Sequence, residues 1–223
     1  MKFLMILFIG LFCLTSTSQA TSLRVSRRDM KLASQQLIEK QTILIPVVAD
    51  PNRVLTTDAG PISAGAVEIT TFTAQPDVPR NITITPTGTT TDVESCAIVV
   101  TGTNFFGASI TDTITFSANA SALVSGVKAF ASVTSVAFPA SCESGGFAAT
   151  WIVGVGDVLG MKRCMDVAGH VMFATLDGSY EGTRPTCIAD ADEVEKNTCD
   201  INGTLDGAKD VELFFVQNFR CLP

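Results

Sequence analysis

A single His, a single Trp and a single Tyr stand in a chain of 223 residues, and only 17% of positions are Asp, Glu, Lys or Arg. One imidazole excludes a multi-His metal site and leaves little material for a histidine-based triad. Basic charge is scarce as well: 15 Lys and Arg face 22 Asp and Glu, a net charge of -7. Affinity for phosphate backbones comes from Lys and Arg that displace counterions, so nucleic acid is not an expected partner. No Cys pair has C-x-x-C spacing, and neither a metal nor a cofactor is expected. Gly154-x-Gly156 lacks the third Gly of a dinucleotide fingerprint and reads as a tight turn.

What is abundant is apolar: 46% of the chain. Part of that share lies at the start, where Met1-Lys2 is followed by an uncharged run from Phe3 to Leu14 and then by Ser18-x-Ala20. A basic start, a short apolar core and a small-residue cleavage pattern describe a secretory signal peptide. The run falls short of the roughly 17–25 residues of a membrane span. A secreted protein without stable membrane insertion is therefore expected, with an N-terminal anchor as the competing reading.

Export changes the meaning of the cysteines, because disulfides persist in oxidising compartments. Removal of Cys13 with the signal leaves Cys96, Cys142, Cys164, Cys187, Cys199 and Cys221. Six cysteines allow 15 connectivities. Cys187 with Cys199, close together around a turn, is the easiest pair to close, and the others are read as Cys96 with Cys142 and Cys164 with Cys221. Three N-x-[ST] triplets begin at Asn81, Asn119 and Asn202, and in an exported chain they are candidate glycan acceptors.

Residues 21–65 read as an N-terminal arm. Met30, Ala33 and Leu37 fall at helical spacing, Arg27-Arg28 offers a processing site, and a solvated basic stretch is the simpler alternative. Residues 42–48 (Thr-Ile-Leu-Ile-Pro-Val-Val) are apolar on both faces and carry a Pro inside, which suits an edge or inserted strand. From 66 to 223, short runs rich in Val, Ile, Thr and Phe are separated by Gly, Asn, Asp and Pro. Strands are expected over 66–73, 81–85, 96–101, 109–116, 128–136, 148–155, 170–176, 183–188 and 211–217. The expected fold is all-β, a β-sandwich of short antiparallel strands with an extended N-terminal arm. Phe105-Phe106 sits in the loop of one expected hairpin, as core or as an exposed contact.

Several segments share an order with a known module. Pro79-Arg80-Asn81-Ile82-Thr83-Ile84, Val100-Thr101-Gly102-Thr103-Asn104 and Gly107-Ala108-Ser109-Ile110-Thr111-Asp112-Thr113-Ile114 come first, followed by Gly126-Val127-Lys128-Ala129-Phe130. Val153-Gly154-Val155-Gly156-Asp157-Val158-Leu159-Gly160-Met161 and Gly203-Thr204-Leu205-Asp206-Gly207 continue the series. Over about residues 79–217 the chain resembles an uncharacterised β-rich structural module of tailed-phage virion proteins. The resemblance implies a non-enzymatic building block and brings no catalytic residues. A signal peptide, six cysteines and sequons set this chain apart and place the module outside a cell.

The expected function is that of a secreted structural subunit that assembles with copies of itself into a filament or appendage. The donor would be the 42–48 strand, with Ile43, Leu44, Ile45, Val47 and Val48 filling a neighbour's open sheet edge. Packing of that strand on its own body is the equal alternative. A carbohydrate- or cell-surface-binding module, with glycans as partners, and a phage decoration protein are the other readings. Enzymatic activity is not expected: His170 reads as structural, and the acids Asp177, Glu181, Asp190, Asp192 and Glu193 match no EF-hand spacing.

Overall fold

The computed structural model describes residues 38–59, 65–143 and 149–216, all within a compact unit that begins at Ile38. The expected signal peptide with Cys13, the segment carrying Arg27-Arg28 and Met30 to Leu37, and Cys221 lie outside the described residues. The described chain is all-β, and its helices are 3-10 turns of three residues each.

Three antiparallel sheets build the body. One holds β3 (Val67–Ile69), β8 (Ser132–Phe138), β5 (Cys96–Thr103) and β6 (Ser109–Phe116), in that order. A second runs β12 (Thr186–Ile188), β13 (Thr198–Asp200), β9 (Ala149–Gly160), β4 (Arg80–Gly88), β7 (Val124–Phe130), and β2 (Asp50–Ala59) also pairs with β9. The third is β1 (Ile38–Ile43), β14 (Val211–Val216), β10 (Val171–Leu176) and β11 (Ser179–Tyr180).

Strand periodicity explains the first sheet. β6 alternates without a break, burying Ile110, Asp112, Ile114 and Phe116 and exposing the Ser and Thr between them. Asp112 is the one charge on that inner face, and it is used: its Oδ2 accepts from the Val127 and Lys128 N–H groups at 2.7 and 3.0 Å. This carboxylate ties β7 to β6, strands that belong to different sheets. The expected 128–136 strand is two strands, because the chain turns at Ala131 and crosses from the second sheet to the first. Ala131 N–H donates to Thr103 O there. Gly102 makes the crossing tight, since a Cβ would overlap the Ser132 carbonyl.

The central strands depart from simple alternation. β4 buries Arg80, Asn81, Ile82, Thr83 and Ile84 in succession, so Ile82-Thr83-Ile84-Thr85 does not have one wet face. β9 continues to Gly160, and Gly154-x-Gly156 lies inside it rather than in a turn. Both glycines answer to close approach: a Cβ at 154 would meet the backbone of Asp50 and Pro51, and one at 156 the Asn81 side chain. β2 was hidden from periodicity by Asp50-Pro51-Asn52-Arg53, and it belongs to the body, not to an arm.

Two apolar clusters result. The first lies between the first two sheets around Trp151, which meets Phe116 edge-on at 5.0 Å between ring centres and Phe138 at 5.9 Å. The second lies beneath the third sheet, where Ile43, Val171, Val211, Leu213 and Phe215 pack with Leu159, Met161 and Met165. β9 contributes to both, Val153 and Val155 to one and Leu159 to the other.

Candidate functional site

The first described strand pairs with the last. β1 runs antiparallel to β14 from Ile38 opposite Val216 to Ile43 opposite Val211, and forms the sheet's outer edge. The strand therefore covers 38–43 and not 42–48. Of the expected donor residues only Ile43 is in it, 6% exposed within the second cluster. Leu44, Ile45 and Val48 stand largely in solvent and Val47 is half-buried. The reason is local: Ile45 takes φ +38°, a left-handed conformation unfavourable to a β-branched residue, and Pro46 cannot extend a ladder.

The loop after β1 is nevertheless held at Ile45, Pro46 and Val47. Ile45 N–H donates to Asp210 Oδ1 at 3.1 Å, Pro46 O accepts from Gly207 N–H at 3.1 Å, and Val47 N–H donates to Asp77 Oδ2 at 2.8 Å. Val47 O accepts from Arg80 Nη1 at 2.9 Å, and the same Nη1 reaches Asp77 Oδ1 at 3.0 Å. The Arg80 side chain is fully buried, and its Nε and Nη2 have no hydrogen-bond partner among the described residues. Burial by itself would raise the Asp77 carboxyl. The Val47 N–H and the Arg80 charge outweigh it and hold the group below its usual value of 3.8. β1 itself is fixed by Gln41, whose Nε2 donates to Gly160 O and whose Oε1 accepts from Lys162 N–H. Glu39 adds ion pairs to Lys162 and Arg163 at 3.1 and 3.2 Å. Neither Asp77 nor Arg80 was found from the sequence, because nothing in a linear pattern marks an internal cation as a partner for a loop 33 residues earlier.

The other expected residues are dispersed. Cys96 is bonded to Cys142 and Cys187 to Cys199. Cys164 is buried and also disulfide-bonded, while Cys221 lies outside the described residues. Of the sequons, Asn119 and Asn202 are exposed. Asn81 is corrected: it is 3% exposed in β4, its Oδ1 accepts from Val158 N–H, and a glycan has no room there. Phe105 and Phe106 are each over two-fifths exposed, with edge-to-face rings 5.2 Å apart. Asn104 caps their turn by accepting the Phe106 and Ala108 N–H groups.

Asp190 accepts the Asp192 and Glu193 N–H groups, and Glu193 pairs with Lys128 and Lys196. No three His, Cys, Asp or Glu side chains among the described residues are grouped to hold a metal ion. Two neighbouring pockets share Asn202 and Gly203: one of about 420 Å³ beside Tyr180 and Glu181, one of about 390 Å³ beside Asp157 and Asp200.

No family model, curated protein or solved structure matches this chain. No described helix is long and apolar enough to cross a membrane. The Cys96–Cys142 and Cys187–Cys199 disulfides are compatible with an extracellular protein.

Proposed function

We propose that this chain is a secreted structural subunit that assembles with copies of itself into a filament or surface appendage, by donating its N-terminal strand. The observation that carries the reading is the pairing of β1 with β14 at a sheet edge, followed by the irregular loop 44–49 that leads to β2. A strand attached in this way makes the same contacts whether it comes from its own chain or from a neighbour. The donor is accordingly 38–48, strand and loop together, a shift from the 42–48 expected from hydropathy. Its departure would expose the β14 edge, uncover the second cluster at Ile43, and strip the buried Arg80 of a carbonyl partner. Each consequence is unfavourable, so the groove is always filled, and filling it from the next subunit propagates a chain. The resemblance to phage structural modules supports a building-block role, and the disulfides suit an extracellular setting.

Thr42 lies opposite Glu212 in the ladder, so a chain carrying Thr42→Cys and Glu212→Cys reports which molecule supplies β1. Oxidised native material run under denaturing, non-reducing conditions is expected to give a ladder of covalent multimers. A cross-link confined to monomers, with no fibres by negative-stain microscopy, defeats the proposal.

A further inference from the structure

We propose that the pocket beside β11 binds a neutral saccharide, with the Tyr180 ring as its stacking platform and Glu181 and Asn202 as its hydrogen-bonding groups. The inference rests on the pocket alone and stands or falls separately from strand donation.

The platform is built. Tyr180 is 62% exposed, yet its ring meets Phe173 edge-on at 5.9 Å, and Phe173 stacks on Phe214 at 4.5 Å. The row of rings fixes the exposed one. The hairpin that carries it turns at Asp177 and Gly178, both at positive φ (49° and 76°), the tight reversal whose twist suits a two-residue connection. An exposed aromatic ring presents a flat apolar face beside a polar rim, which matches the alternating C–H and O–H surface of a sugar.

The polar groups lack partners or are already oriented. Both carboxylate oxygens of Glu181 are withdrawn from water without a hydrogen bond of good geometry. Oε1 lies against Gly203, where any Cβ would overlap it. Burial, chiefly, and the Asp200 charge push this carboxyl above its usual value, while the nearby Gly203 N–H opposes them. A buried acceptor of this kind is costly to leave unmade and is satisfied by hydroxyl donors. Asn202 is set in orientation by its Nδ2, which donates to Arg184 O at 2.7 Å. The volume of about 420 Å³ lies in the range of small-ligand sites.

Charge selects the class of ligand. Asp177 and Glu181 line the pocket, and its one cation, Lys209, is paired to Asp206 at 3.1 Å. An anion is repelled. A divalent cation lacks the grouped ligands it needs among the described residues. A neutral, hydroxyl-rich molecule meets no such objection.

Tyr180 is the chain's only tyrosine, so ring-labelled tyrosine gives one unambiguous NMR signal at the proposed platform. The disulfide-bonded mature chain is titrated with neutral oligosaccharides of glucose, mannose, galactose and N-acetylglucosamine, and separately with calcium chloride. At least one saccharide is expected to shift the signal saturably. Tyr180→Ala, followed through backbone signals, should bind that sugar at least about tenfold more weakly. Glu181→Gln should weaken binding while raising the thermal midpoint at neutral pH, a combination that a purely structural carboxylate would not produce. The proposal is overturned if no saccharide shifts the signal, if Tyr180→Ala binds as well as the parent, or if calcium alone acts.

Discussion

Gly154 and Arg80 show how single positions acquire meaning only from what lies against them. In the sequence Gly154 looks like half of a turn; in the fold it is the place where β2 crosses β9, with the Asp50 and Pro51 backbone occupying the space a side chain would need. Backbone cannot rotate away as a side-chain tip can. Gly154→Ala is therefore expected to destabilise the body by about 1–3 kcal/mol, the range for overpacking a tight site, measured as a lower urea midpoint. Gly156→Ala meets only the Asn81 side chain, and the loss should be smaller. Arg80 carries the opposite lesson. A cation on a strand reads as a solvated face, yet this one is fully buried and bonded to Val47 O and Asp77.

Among the elements, β1 with its following loop is the one whose stability depends on pH in a way that can be isolated. The Asp77 carboxyl titrates below its unfolded value of 3.8 because Val47 N–H and Arg80 favour its charged form. A depressed acid contributes stability that is fully present above the unfolded value and is lost as pH falls through the folded one. The thermal midpoints of the parent and Asp77→Asn should thus differ fully above about pH 5 and converge as the pH drops below about 4. A gap that stays constant down to pH 2 would mean that the loop is held without this charge. Strand prediction was most faithful where one face is wet, as in β6. It failed at β1 and β2, where charged residues or a Pro interrupt the pattern, and at β13, three residues long.

For the whole molecule, the disulfides set how much the unfolded chain is restrained. Cys96–Cys142 closes 46 residues and joins β5 to the turn after β8, whereas Cys187–Cys199 closes 12 across the adjacent strands β12 and β13. Loop entropy makes the longer closure worth roughly 1 kcal/mol more. Replacing Cys96 and Cys142 together by Ala should cost about 2–4 kcal/mol in denaturant unfolding, and more than replacing the Cys187 and Cys199 pair. The sequence alone determined the class of this protein: alternation and turn residues dictate an all-β body, because period-two patterning can bury only one face of a strand. It also determined the cysteine inventory and the single His, since composition is a local property. Tertiary structure alone decided which strand meets β14, that Asn81 is inaccessible, that Arg80 holds the loop at 44–49, and that Tyr180, Glu181 and Asn202 share one pocket. These depend on contacts between residues far apart in the chain, and no local pattern encodes which distant backbone will arrive to fill a gap.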